Sequence, residues 1–349
     1  MNRHHSFTSM LDVINMLVTD DLEQHHANDK KRNDEAVPVF FTIDDSYAPY
    51  LGVALQSLMD NADPSRVYDI VVLHEELSAE HRVQLESLAR PGFNLRFVRT
   101  NESLEGISAA HHNKLRQDYF TLTIFLRLFI PTLFPEYDKV IYLDSDIVVP
   151  GDISQLFDTE LGDNLIGACC DSSIVNIPEL VAYTDRGIGV GIDRYINSGI
   201  LLMNAKALRE AKLDERFMTT LKQYAFENIA PDQDYLNTMC AGKIRYLDPS
   251  WDAMPVMGEP EMENPRIVHY NLFAKPWCYD NIPYSDLFWS YACKTPFLKE
   301  IHAHKENYSD AQKASDAACM EMLVQHAKEI ANAESNFRTV FAAHPELRL

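Results

Sequence analysis

The segment Val140-Ile141-Tyr142-Leu143-Asp144-Ser145-Asp146 sets two carboxylates at i and i+2 directly after an apolar, β-rich run. On a regular strand they share a face, and at a strand end the chain can turn so that both reach one point. Two converging anions repel unless a cation or a shared proton lies between them. Hard oxygen donors suit Mg²⁺ or Mn²⁺; the plainer alternative is an Asp-rich turn. A second apolar run, Val39–Ile43, ends in Asp44-Asp45-Ser46-Tyr47. There a carboxylate and a hydroxyl can bond a base or ribose and Tyr47 can stack on a ring, or Asp45 or Ser46 simply caps a helix. His269 closes another apolar run and Lys275-Pro276-Trp277 follows it. His269 is either structural or the third ligand of an Asp144/Asp146/His269 site, with Lys275 aimed at phosphate oxygens. Asp232-Gln233-Asp234 opens a helix after Pro231, and Asn197-Ser198-Gly199 precedes a strand; both also read as caps and turns.

The elements that must position these groups alternate. Strands are expected at Val39–Ile43, Asp69–Leu73, Leu95–Val98 and Val140–Leu143, with helical periodicity between them, including much of Tyr119–Leu133. This pattern predicts an α/β fold with a mostly parallel central sheet and helices on both faces. Such sheets bind ligands beyond the C-terminal ends of their strands, where the acidic pairs stand. Later strands are expected at Gly199–Met203 and Ile267–Tyr270, and helices at Asp214–Asn228 and Asp232–Cys240. From Ser309 onward the chain is Ala-rich and helical, with Met320, Leu323, Val324, Ala327 and Ile330 on one stripe. The stripe should pack on the domain or on a second subunit, so the C-terminal helices are a candidate homo-oligomer contact. The expected organisation is an N-terminal extension over 1–35, one domain over 36–300 and a helical extension over 301–349.

Composition narrows the function. The chain has 349 residues, with 31 Lys+Arg against 52 Asp+Glu and a net charge of −21. That balance argues against a nucleic-acid partner, which needs a basic face. The richest apolar stretch, Phe120–Phe134, carries Arg127 and Pro131 and is too short to span a bilayer, and no signal peptide is read in the first residues. Six scattered Cys with no CxxC pair fit reduced thiols and a cytoplasmic location. No Walker loop, GxGxxG or GxSxG occurs; Gly187–Gly191 neither follows a clear strand nor opens a helix.

Taken in order, FFTIDDSY (40–47), FLRLFIP (125–131), DKVIYLDSDIVV (138–149), YINSGILLMN (195–204), PDQDYLN (231–237) and HYNLFAKPW (269–277) resemble the retaining glycosyltransferases of family 8. That family includes bacterial lipopolysaccharide galactosyl- and glucosyltransferases and glycogenin. The resemblance covers Val37–Phe297 and implies a GT-A, nucleotide-diphospho-sugar transferase fold. It implies that Asp144, Asp146 and His269 bind Mn²⁺, with Mg²⁺ as the alternative. It also implies that Thr42, Asp44 and Tyr47 hold the uridine of a UDP-hexose and that Lys275 contacts its diphosphate. Arg127, Asn197, Asp232 and Gln233 would surround the donor sugar, and Ser145 belongs with the donor-binding residues. Asp232 and Gln233 are the implied catalytic residues. The acceptor would be a glycan, a lipid-linked glycan or a protein, in lipopolysaccharide or polysaccharide synthesis. Two departures stand out: Ser46 where relatives often have Asn, and Leu272 where some have Gly near the diphosphate. The alternatives are a haloacid-dehalogenase-type phosphohydrolase, whose DxDx[VT] signature Asp144–Val148 satisfies, and an inactive sugar-nucleotide-binding protein. In the former family the motif lies on the first strand; here three strands precede it.

Overall fold

The computed structural model describes residues 36–100 and 123–349. The expected N-terminal extension over 1–35 and the start of the Tyr119–Leu133 helix lie outside them. In order, the elements are β1 (Val37–Ile43), α1 (Ala48–Asn61), β2 (Tyr68–His74), α2 (Ala79–Glu86), β3 (Phe93–Arg99), α3 (Thr123–Leu133), β4 (Val140–Leu143), β5 (Ile147–Val148), α4 (Ile153–Phe157) and β6 (Ile166–Ala168). There follow α5 (Pro178–Tyr183), β7 (Ile200–Met203), α6 (Ala205–Glu210), α7 (Leu213–Tyr224), α8 (Pro231–Met239), β8 (Ile244–Tyr246), β9 (Val268–His269), α9 (Ser285–Ala292), α10 (Leu298–Asn307), α11 (Asp310–Ala331) and α12 (Phe337–Ala343).

Seven strands form one sheet in the order β3-β2-β1-β4-β7-β6-β8. Strands β2 and β4 are buried along their whole length, and β1 is buried except at Thr42. Burial on both faces is why these segments are continuous apolar runs rather than alternating ones. From β1 the chain steps outward through β2 to β3, then returns to place β4 on the other flank of β1. The gap beyond β1 and β4 is therefore a topological switch point, the usual ligand crevice of an open α/β sheet.

Two departures from a plain parallel sheet matter for the site. Strand β7 runs antiparallel to β4, with Leu143 opposite Ile200. The residues that precede β7 therefore meet the residues that follow β4. The second departure is β9, which does not join the main sheet. It pairs antiparallel with β5, Ile147 opposite His269, in a separate two-stranded ribbon.

The core lies on both sides of the sheet. Leu323, Ala327 and Ile330 of α11, with Phe337 and Phe341 of α12, are buried in the same cluster as α3, α7 and α8. Each of the Leu, Ile and Phe side chains stabilises by about 1.5–3 kcal/mol. Met320 and Val324 pack against this cluster, so the C-terminal stripe is covered within the chain. Among the described residues no helix is long and apolar enough to cross a membrane.

Candidate active site

The ends of β1 and β4 flank the switch point, and the site assembles there. Asp144 and Asp146 follow β4, and the backbone N–H of Asp144 donates to the Gly199 carbonyl at 2.7 Å, bringing in the segment before β7. The N–H of Tyr270 donates to the Asp146 carbonyl at 2.9 Å, which seats His269 beside Asp146. One ligand atom from each of Asp144, Asp146 and His269 lies within 4.8 Å of the others. His269 Nε2 stands 3.4 Å from Asp146 Oδ1 and 3.8 Å from Asp144 Oδ2.

This donor set fits a divalent cation on three counts. The candidate ligands are two carboxylates and an imidazole, oxygen and nitrogen donors of the kinds divalent cations take. On the far side of the ring, His269 Nδ1 lies 3.1 Å from the buried Asp252 carboxylate. A carboxylate there holds Nδ1–H and turns the Nε2 lone pair toward the cluster. Space is also reserved: a Cβ on Gly199 would fall 2.4 Å from His269 Cε1 and 2.7 Å from Asp144 Oδ2. With no cation between the carboxylates, burial disfavours charge on His269 but Asp146 and Asp252 outweigh it and hold its pKa up at about 10; a cation at Nε2 would take the place of that proton. Burial likewise opposes ionisation of Asp146, yet Lys275 and His269 bring its pKa well below the usual carboxylate range. Burial raises Asp252 to about 6 against the pull of His269.

Buried Arg127 organises the next layer. Its Nη2 donates to Asp144 Oδ1 at 3.0 Å, its Nη1 to the Ser198 carbonyl at 2.7 Å, and its Nε pairs with Asp232 Oδ2 at 3.1 Å. Gln233, in the first turn of α8, accepts from the Ser198 N–H at 3.1 Å and donates from Nε2 to Asp171 Oδ2 at 3.0 Å. Asn197 Nδ2 donates to the same Asp171 oxygen at 3.1 Å. Asp234 points away from this layer. It is fully buried and accepts from Tyr183 and Tyr195 hydroxyls at 2.6 Å each. Lys275 Nζ pairs directly with Asp146 Oδ2.

At the β1 end, Asp44 caps the short turn Asp45–Tyr47 by accepting from the Tyr47 N–H and from Ser46 Oγ. The capping residue is thus Asp44 rather than Asp45 or Ser46. Asp45 instead accepts from the Ser78 N–H at 2.7 Å and contacts His81 at 2.9 Å.

One open cleft gathers all twelve of the candidate site residues. Thr42, Asp44 and Tyr47 line it at the β1 end; Asp144, Ser145, Asp146, His269 and Lys275 line it at the β4 end; Arg127, Asn197, Asp232 and Gln233 complete the wall. Leu272 also lines it, with a left-handed backbone at φ 55°. Three residues of this network escaped the sequence reading. Asp171 had a usable signal, an acid just beyond an apolar run ending at Ala168. Asp252 had none, because it acts through His269 of another segment; Tyr142, whose hydroxyl donates to Asp144 at 2.8 Å, reads in the sequence as one more apolar residue of its strand. Loops carry specificity, and two stretches of the sequence, Ser108–Asp118 and Asp171–Tyr195, are candidates for acceptor recognition; Ser108–Asp118 lies outside the described residues. The other, Asp171–Tyr195, contains α5, whose Leu180 and Tyr183 are buried in the core shared with α11.

The family model for glycosyl transferase family 8 matches residues 38–281. General stress protein A of Bacillus subtilis (strain 168) is 26% identical over 284 residues, 76% of this chain and 96% of that protein. Among solved structures, galactosyltransferase LgtC in complex with donor and acceptor sugar analogs superposes with a TM-score of 0.63 at 28% identity. It covers 74% of this chain and 96% of LgtC. The apo structure of the bifunctional glycosyltransferase WbbM gives a TM-score of 0.66 at 28% identity over 79% of this chain. This chain spans 52% of that longer protein.

Proposed function

The chain belongs to glycosyl transferase family 8 and is a hexosyltransferase with the GT-A fold, and from that premise we propose a metal-dependent transfer of glucose or galactose from a UDP-sugar with retention at the anomeric carbon. The acceptor is the hydroxyl of a glycan, lipid-linked glycan or protein, in cytoplasmic polysaccharide or lipopolysaccharide synthesis. One observation carries the reading: the Asp144/Asp146/His269 cluster, backed by Asp252, opens into the same cleft as every other candidate residue. The family assignment sets aside the phosphohydrolase alternative, and an intact ligand set weighs against an inactive binder.

Asp144, Asp146 and His269 would hold Mn²⁺, with Mg²⁺ the alternative. When bound, the cation neutralises the donor diphosphate and the charge that develops on departing UDP. Thr42, Asp44 and Tyr47 take the nucleoside, and Lys275 takes a phosphate oxygen. Arg127, pinned by Asp144 and Asp232, orders the sugar end of the cleft. Among the described residues, neither acid at the start of α8 is free to attack the anomeric carbon. Asp234 is enclosed by two phenols, Asp232 is paired with Arg127, and the Gln233 amide is a poor nucleophile whose oxygen faces the Ser198 N–H. We therefore favour the same-face route. The bond from the anomeric carbon to phosphate oxygen breaks as the bond to the acceptor oxygen forms, and the acceptor proton passes to the leaving diphosphate. Gln233 and Asp232 position the sugar.

The test is a panel of UDP-sugars with Mn²⁺ and with chelator, followed by proton NMR of the first-formed linkage. UDP release that needs the metal, and an α-linked product from an α-donor, support the proposal. Full activity in chelator, or a β-linkage, refutes it.

A further inference from the structure

Tyr142 is fully buried in the middle of the sheet, yet its hydroxyl has two polar partners, both of which line the cleft. It donates to Asp144 Oδ1 at 2.8 Å and lies 2.8 Å from Thr42 Oγ1. The backbone explains the meeting. Phe40 stands opposite Tyr142 in the β1–β4 register, so Thr42, two residues on, is the diagonal neighbour on the same face. Asp144, two residues beyond Tyr142, shares that face as well.

Counting protons fixes the direction of this chain. A phenol has one proton, and the Asp144 carboxylate can only accept it. The Thr42 hydroxyl must therefore donate to Tyr142, which leaves Thr42 presenting only lone pairs to the cleft it lines. A ligand group that meets Thr42 must be a donor, such as the imide N–H of a uracil ring or a ribose hydroxyl. At the other end, Asp144 Oδ1 is held by both Tyr142 and Arg127. That leaves Oδ2 toward His269. The Arg127 guanidinium also sits 4.3 Å over the Tyr142 ring, so the ring cannot swing away from its two partners without losing that contact.

We infer that Tyr142 is a positioning residue that couples the nucleoside end of the cleft to the metal end, through Thr42 on one side and Asp144 on the other. A donor hydrogen bond arriving at Thr42 orders the Thr42→Tyr142→Asp144 chain and with it the Asp144 carboxylate, so that the second ligand meets a group already held in place; nucleoside and cation then each strengthen the other's binding, and by the same factor. The inference rests on the proposed UDP-sugar donor, and its experiment separates the two.

Uridine has no phosphate, so any coupling between uridine and Mn²⁺ must pass through the protein. Calorimetric titration of the full chain with Mn²⁺, alone and in saturating uridine, measures it. The expected result is a Mn²⁺ affinity about 5-fold tighter with uridine present, with uridine tightened equally by Mn²⁺. Tyr142→Phe should weaken Mn²⁺ alone by about 10-fold and abolish the coupling. Thr42→Val should abolish the coupling with little change in Mn²⁺ affinity alone, and it carries the test if circular dichroism finds Tyr142→Phe unfolded. Independent binding of the two ligands in the unaltered protein, or coupling that survives these substitutions, overturns the inference and leaves the donor reading standing. Failure of either ligand to bind overturns both.

Discussion

Replacing Gly199 by Ala adds a single methyl group at the centre of the proposed metal site. That methyl would lie 2.4 Å from His269 Cε1, 2.7 Å from Asp144 Oδ2 and 3.0 Å from Asn197 Oδ1. Ordinary contact begins at 3.4 Å, so the imidazole must retreat by about 1.0 Å or the backbone must move. None of the three neighbours is free to yield. His269 is backed by Asp252, Asp144 is held by Arg127 and Tyr142, and Asn197 by Asp171. Overpacking of this kind costs about 1–3 kcal/mol of stability, which would lower Tm by a few degrees in a chain of this size. The functional loss should be larger than the structural one. Metal–ligand distances tolerate deviations of only about 0.2 Å, and a misplacement of about 1 Å can cost on the order of 10²-fold in rate. The paired assays are differential scanning fluorimetry for the fold and calorimetry for Mn²⁺. A folded Gly199→Ala protein with Mn²⁺ affinity equal to the unaltered chain would refute both the metal site and the account of why this position is glycine.

Asp252→Ala should leave His269 in place but unoriented, lowering Mn²⁺ affinity by about 10–100-fold by calorimetry; unchanged affinity would remove Asp252 from the site. Lys275→Ala should weaken UDP more than uridine, since its proposed partner is a phosphate, and equal losses for the two ligands would contradict that role. Asp234 governs a pH effect. Burial raises its pKa to about 7 from 3.8, against the opposing pull of the Tyr183 and Tyr195 hydroxyls. A carboxyl raised in the folded state contributes stability that is complete below 3.8 and is lost as pH climbs to about 7. Thermal stability should therefore fall more steeply across that window in the unaltered protein than in Asp234→Asn, and parallel Tm profiles would show that Asp234 does not titrate there.

The sequence by itself determined the layered α/β architecture, the positions of the main strands and the Asp144/Asp146 pair. Each is a local signal. Strands buried on both faces must be unbroken apolar runs, as Val39–Ile43 and Val140–Leu143 are, and polar residues that follow them stand at the sheet's carboxyl edge. Arg127, Asn197, Asp232 and Gln233 enter the site only by resemblance to a family, His269 reads from its own segment as either structural or a third ligand, and nothing in their surroundings in the sequence requires them to meet. The tertiary structure decided that they do. The antiparallel run of β7 carries Asn197 and Gly199 back to the end of β4, and the β5–β9 ribbon sets His269 against Asp146. The same holds for what the sequence did not disclose. Asp171 and Asp252 are buried polar residues with partners 26 and 17 positions away, at Asn197 and His269, and Tyr142 joins Asp144, two positions on, to Thr42, 100 positions away. A buried polar group must be hydrogen-bonded, but composition and periodicity describe a residue's neighbours along the chain, whereas such a bond is made with whatever segment the fold brings alongside. The destination of the C-terminal apolar stripe was open for the same reason: periodicity marks a face that needs covering, and only the packed chain names Leu180 and Tyr183 of α5 as members of the core that covers it.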